Sequence, residues 1–152
     1  MTSLAPIRFF VIWCETMKAF GKLIDGSYKS VLSDDRGHEV ATDLGPESGG
    51  DDSAASALEL SVLSMAGCIT TIWAIVAKNS KVSYSNFEVE LDAEKESPAG
   101  TIGKAHAKAY VTSDEDKSKL ERCFEKTLKV CPVGQLWEKA GVQLTEELII
   151  RD

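Results

Sequence analysis

The run S-A-L-E-L-S-V-L-S-M-A-G-C-I-T-T-I-W-A-I-V-A, Ser56 to Ala77, decides the fold. Apolar or small residues fill nearly every position from Leu60 to Val76, so no polar stripe recurs at helical spacing. A helix buried on all sides is expected. A chain of 152 residues has little left to wrap such a helix, which predicts a second copy and therefore a homodimer. The segment is also long enough for a membrane span of about 20 residues. It carries Glu59, three serines, two threonines and a glycine, however, and Asp51 and Asp52 precede it where Lys or Arg would anchor a span. No membrane partner is expected. Cys68 sits near the middle, where a cysteine is either a small core residue or a reactive thiol.

The length and an apolar content of 43% suit one domain, residues 1–152, with a core of its own. Seventeen basic against 24 acidic residues give a net charge of -7, which argues against nucleic acid because phosphate binding needs a basic footprint. The four cysteines, Cys14, Cys68, Cys123 and Cys131, contain no C-x-x-C pair and have no histidine at metal-ligand spacing, so no zinc site is expected. Nor does a chain this rich in Ile, Leu and Val need a disulfide scaffold, so any disulfide points to redox chemistry. Arg8 interrupts the apolar N-terminal run and no small-residue cleavage pattern follows, so no signal peptide is read and the cytoplasm is the expected address.

Taken in order, Ile7 to Cys14 is β-branched and aromatic and reads as a strand. Ala19 to Ile24 and Ser27 to Ser33 flank Asp25-Gly26, the signature of a tight type I′ hairpin. Asp34 to Asp52 is rich in Asp, Gly, Glu, Ser and Pro and reads as a long surface loop, with Asp51, Asp52 or Ser53 capping the central helix. The two aspartates and the lack of Gly-Lys-Ser/Thr exclude a phosphate-cradling loop. Phe87, Val89 and Leu91 alternate with acidic residues, and Ala105, Ala107 and Ala109 alternate with His106, Lys108 and Tyr110, giving two strands joined around Ser97–Gly100. His106 falls on the solvated side. Ser113 to Asp116 signals a second helix with Leu120, Cys123, Phe124, Thr127, Leu128 and Cys131 on one face. Pro132 breaks it, Val133 to Ala140 forms a short continuation, and Val142 to Ile150 is a last strand. Strands grouped apart from helices predict an α+β fold with antiparallel sheets.

L-E-L-S-V-L-S-M-A-G-C, Leu58 to Cys68, resembles the E-L-x-x-x-A-x-x-x-C helix of the OsmC/Ohr family, and C-P-V-G-Q-L, Cys131 to Leu136, resembles its C-P-V-S-x-x segment. The resemblance covers most of the chain from Asp25 onward. It implies antiparallel sheets wrapped around long central helices in an intertwined homodimer. It also implies a thiol peroxidase without a cofactor or metal. Cys68 would attack the O–O bond of an organic hydroperoxide and become sulfenic acid, Cys131 would condense with it to a disulfide, and a dithiol reductant, dihydrolipoyl or thioredoxin-like, would reset the pair. Family peroxidases hold the thiolate with an Arg and a Glu. Leu58 stands where that Glu falls, with Glu59 beside it, and no arginine aligns; Arg36, in the expected loop, is the candidate by elimination. The alternative is a non-catalytic protein that holds a small apolar ligand in a pocket at the dimer interface.

Overall fold

The computed structural model describes residues 16–151, and the chain divides into two units, Met1–Ser56 and Ala57–Asp152. The strand expected over Ile7 to Cys14 lies outside the described residues.

In the first unit β1 (Phe20–Leu23), β2 (Ser30–Ser33) and β3 (Glu39–Thr42) form an antiparallel sheet in that order. The β1–β2 turn is wider than Asp25-Gly26 predicts. The Ile24 N–H donates to the Lys29 carbonyl at 2.8 Å, closing a loop over Asp25–Tyr28, and only Gly26 adopts positive φ, at 74°. A type I′ turn needs both central residues there. The loop expected from Asp34 to Asp52 is also corrected, because it contains β3 and a short 3-10 helix, Pro46–Ser48. A strand of four residues is too short to show an apolar period in sequence.

Two aspartates organise this region. Asp34 Oδ1 accepts the N–H groups of Arg36 and His38 at 2.8 and 3.0 Å, which shapes the β2–β3 turn. Asp43, buried, accepts from Leu44 N, Ser53 N and Ser53 Oγ at 2.8 to 3.0 Å, and these bonds hold its carboxyl down at about 2. Ser53 is thereby tied to Asp43, and the central helix begins later, at Ala57, rather than on a cap from Asp51 to Ser53. Gly50 closes the loop so tightly that a Cβ would collide with the Leu44 carbonyl oxygen.

The second unit contains α1 (Ala57–Ser80), β4 (Asn86–Glu96), β5 (Thr101–Thr112), α2 (Lys117–Val130), α3 (Pro132–Lys139) and β6 (Gln143–Arg151). The hairpin of β4 and β5 follows the sequence closely, with Gly100 at positive φ in its turn. β6 departs from the antiparallel expectation: it pairs parallel to β5, Ala107 opposite Glu146. The chain leaves β5 and crosses through α2 and α3 before re-entering the sheet, and such a crossover returns a strand in the same direction. One side of the sheet is apolar, with Ala107, Ala109 and Val111 wholly buried. The other is polar: Tyr110 Oη donates to Glu90 at 2.9 Å and His106 Nδ1 lies 2.8 Å from Thr145 Oγ1.

Met65, Ile69, Trp73, Val76 and Ala77, spaced by three and four residues, form the buried ridge of α1. Trp73 stacks on Phe87 with ring centroids 4.3 Å apart. Within the single chain burial is confined to this ridge, and the expected enclosure on all sides rests on a second copy. Leu63 and Ile75 are 59% and 53% exposed within the single chain, and exposed Ser64, Gly67 and Thr71 lie between them. By length and composition α1 could cross a membrane. α2 starts at Lys117, capped by Asp116, whose carboxylate accepts Ser118 N at 2.8 Å. Ser113, at the head of the expected capping sequence, instead donates its hydroxyl to the Ser83 carbonyl at 2.6 Å.

Candidate functional site: a thiol pair between two helices

Cys68 borders the buried ridge of α1 and is half-buried. Cys131 occupies the single residue between α2 and α3, with φ −68° and ψ 111°. Pro132 imposes that extended geometry, since its ring disfavours helical backbone in the residue before it. The same proline suits the first position of α3, where no N–H is needed. Cys131 thus terminates one helix and caps the next.

The Cys131 thiol donates to Cys68 Sγ at 2.8 Å, and Cys131 Sγ accepts the Gly134 N–H at 3.4 Å. Cys131 is fully buried. Burial, with the bond to Cys68 second, pushes its thiol up to about 11, while the Gly134 N–H pulls the other way. At neutral pH Cys131 keeps its proton and points it at Cys68.

Three contacts align α3 along α1. Trp137 Nε1 donates to Ser61 Oγ at 3.2 Å. Gly134 faces Met65, where a Cβ would lie 3.4 Å from the Met65 methyl carbon. Cys131 meets Cys68. Ser61, Met65 and Cys68 share one face of α1 at spacings of four and three, and Trp137, Gly134 and Cys131 share one face of α3 at spacings of three. Sequence reasoning singled out the cysteines but not Ser61, Met65, Gly134 and Trp137. The signal was present as two helical periods, and nothing local said that they face each other.

The remaining candidates lie elsewhere. Glu59 is exposed in the first turn of α1, and nine residues, about two and a half turns, carry it to the side opposite Cys68. Arg36 lies in the β2–β3 turn of the first unit, its Nε 3.2 Å from Asp34 Oδ2. Arg122 donates to Ser118 Oγ at 3.1 Å, and Arg151 to Glu88 at 3.2 Å while lying over the Tyr110 ring. Cys123 is buried in α2, where burial raises its thiol. Cys14 lies outside the described residues. A cavity of about 410 Å³ reaches Met65 and Gly134 from the side of α2 and β6, and these two residues, not Cys131, form its wall there.

A long cysteine-bearing helix packed on a three-stranded mixed sheet, with a second thiol at a helix–proline–helix junction, defines an α+β thiol-pair protein. The family model described as OsmC-like protein matches residues 50–147. The chain belongs to the OsmC-like family. Its structure resembles that of an OsmC-like protein from Mycoplasma pneumoniae at a TM-score of 0.80, with 9% identity over 90% of this chain and 98% of that one. It also resembles an organic hydroperoxide resistance protein OsmC from Legionella pneumophila, with a TM-score of 0.71, 17% identity and coverage of 88% and 96%. An organic hydroperoxide resistance protein from Elizabethkingia anophelis gives a TM-score of 0.70, 17% identity and coverage of 90% and 96%. At these identities the likeness is one of fold. No curated protein matches the chain in sequence.

Proposed function

We propose that the chain is a cysteine-based peroxidase for organic hydroperoxides, acting in the cytoplasm as a homodimer of one OsmC-like domain, residues 1–152. The 2.8 Å approach of a half-buried and a fully buried sulfur, in the segments that carry the family motifs, supports it. The Cys68 thiolate attacks the O–O bond; the S–O bond forms, the O–O bond breaks, and the alkoxide takes a proton from solvent to leave as alcohol. Cys131 then attacks the sulfenic sulfur. Its proton, already directed at Cys68, passes to the departing hydroxyl, which leaves as water. A dithiol, dihydrolipoyl or thioredoxin-like, supplies two electrons and two protons to restore the pair. Arg36 is the proposed cation for the thiolate and Glu59 its orienting partner.

The homodimer reading draws on the outer side of α1, where Leu63 and Ile75 flank small residues that permit close helix approach. Two observations favour a second function, the binding of a small apolar ligand without turnover. The three described arginines are each engaged with a neighbour, Asp34, Ser118 or Glu88, and Leu58 stands where the family peroxidases place Glu. The deciding experiment treats the reduced protein with one equivalent of cumene hydroperoxide and maps its peptides. A Cys68–Cys131 disulfide is expected; one through Cys14 or Cys123 would show that the pair is wrongly chosen, and no disulfide turns the reading toward ligand binding.

A further inference from the structure

Cys131 meets Cys68 only while α3 lies in register along α1, and α3 does not hold that position by itself. It has eight residues, and a helix so short is marginal without tertiary contacts. It also joins α2 through one non-helical residue, Cys131, so the run of helical backbone in α2 does not fix its direction. Its far end is fixed instead by Trp137, a buried residue whose indole N–H donates to Ser61 Oγ at 3.2 Å and whose carbonyl accepts the Val142 N–H at 3.0 Å. Ser61 lies about 10.5 Å along α1 from Cys68, and Trp137 about 9 Å along α3 from Cys131. The two spans nearly match, so these antiparallel helices meet at both ends, indole on hydroxyl at one and sulfur on sulfur at the other. Between them the Met65 methyl carbon lies 3.4 Å from the position a Cβ on Gly134 would take, an apolar contact with no preferred direction.

We propose that Ser61 is a positioning residue for the resolving step: by accepting the Trp137 N–H it sets the register of α3 on α1 and holds Cys131 against Cys68. This rests on the two cysteines forming the redox pair proposed above. Of the three contacts between the helices, only the indole–hydroxyl bond combines direction with distance from the thiols, so it restrains both the slide and the rotation of α3. Every atom of it belongs to the second unit of one chain, and it stands whether or not a second copy covers the outer side of α1. The cycle depends on it most after the first half-reaction, when Cys68 is a sulfenic acid with two fates. Attack by Cys131 forms the S–S bond and expels the hydroxyl as water. Attack by the sulfenate on a second hydroperoxide forms another S–O bond, breaks that O–O bond, and yields sulfinic acid and alcohol. The closer Cys131 is held, the more often the first fate wins.

The test is an equilibrium and needs no peroxide. The reduced chain is held in glutathione redox buffers, where glutathione disulfide takes two electrons and two protons as Cys68 and Cys131 join, and the disulfide fraction is read after acid quenching. Ser61→Ala should lower the equilibrium constant about tenfold, the order of one hydrogen bond whose buried donor is left unpaired. A packing loss common to the reduced and oxidised forms would cancel from this constant. Ser61→Thr, which keeps the hydroxyl, should restore the parent value, and Trp137→Phe, which keeps a ring but no donor, should match Ser61→Ala. Cys123, buried in α2, monitors the fold, since it resists alkylation while the unit is intact. If Ser61→Ala exposes Cys123, Trp137→Phe decides in its place. A parent-like constant in the deciding variant, a threonine chain as weak as the alanine one, or failure of the parent pair to join overturns the inference. Under excess cumene hydroperoxide Ser61→Ala should also raise the share of Cys68 found as sulfinic acid. A parent chain that leaves cumene hydroperoxide unreacted yet shows the shifted constants sinks the peroxidase reading and leaves the role of Ser61 standing.

Discussion

The two sheets of this chain are built by opposite means. β4 and β5 are long, and with β6 they bury Ala107, Ala109 and Val111 completely beneath α1 and α2. β1, β2 and β3 have four residues each, and Phe20, Leu23, Val31 and Val40 remain exposed in the single chain. The second unit makes its own core; the first makes a frame held by Asp34 and Asp43. A small sheet with exposed apolar side chains gains little until something covers it. The thiol pair lies wholly in the self-sufficient unit, and the candidate cation Arg36 lies wholly in the other.

The largest expected effect tests the self-sufficient unit. Trp73 is fully buried and stacked on Phe87, so Trp73→Ala should cost about 3–5 kcal/mol in chemical denaturation. A loss below about 1 kcal/mol would mean that the second unit does not depend on this ridge. Arg36→Ala addresses the other unit through chemistry: peroxide consumption should fall about 100-fold or more, with Glu59→Gln costing less. An unchanged rate of Cys68 oxidation would leave the first unit without a catalytic part and advance the ligand-binding reading.

Val40→Ala sharpens the contrast between the sheets. Val40 is 46% exposed in the single chain, and a site that stays so should change stability by less than about 0.5 kcal/mol. In the proposed homodimer the first sheet is covered, and the expected cost is about 1–2 kcal/mol together with a dimer mass by sedimentation. A stable monomer and a neutral substitution would break the dimer reading.

The smallest effect is pH-dependent. Asp43 titrates at about 2 in the folded chain, below its ordinary value of 3.8. Its contribution is therefore fully present above 3.8, and it is lost as pH falls through about 2. Asp43→Asn should remove that share of the acid sensitivity, seen as a shallower fall of stability in that window. A curve parallel to that of the parent chain would show that Asp43 is not its source.

The legibility of this molecule follows the range of the interactions. α1 lay open in sequence because its apolar run needs no partner to be recognised, and β4 and β5 because alternation with period two marks a half-wet sheet. β3 was lost in a polar stretch because Glu39–Thr42 offers too few residues for any period. The β1–β2 turn was misread because Asp25-Gly26 states a preference, and the wider closure from Ile24 to Lys29 overrode it. Even the family motif, which marked Cys68 and Cys131 together, did not contain the Trp137–Ser61 and Gly134–Met65 contacts that line up their helices.

By itself, then, the sequence determined the long helix, the alternating hairpin, the break at Pro132 and the two cysteines in their motifs, all properties of neighbours a few residues apart. Only the tertiary structure decided that β6 runs parallel to β5, that α1 is covered on one side, and that two sulfurs 63 residues apart meet at 2.8 Å with one buried and one half-buried. Those are matters of which surfaces pack and which stay wet. Periodicity says that a face is apolar, and packing against a particular partner says which thiol is fully buried and which is half-buried.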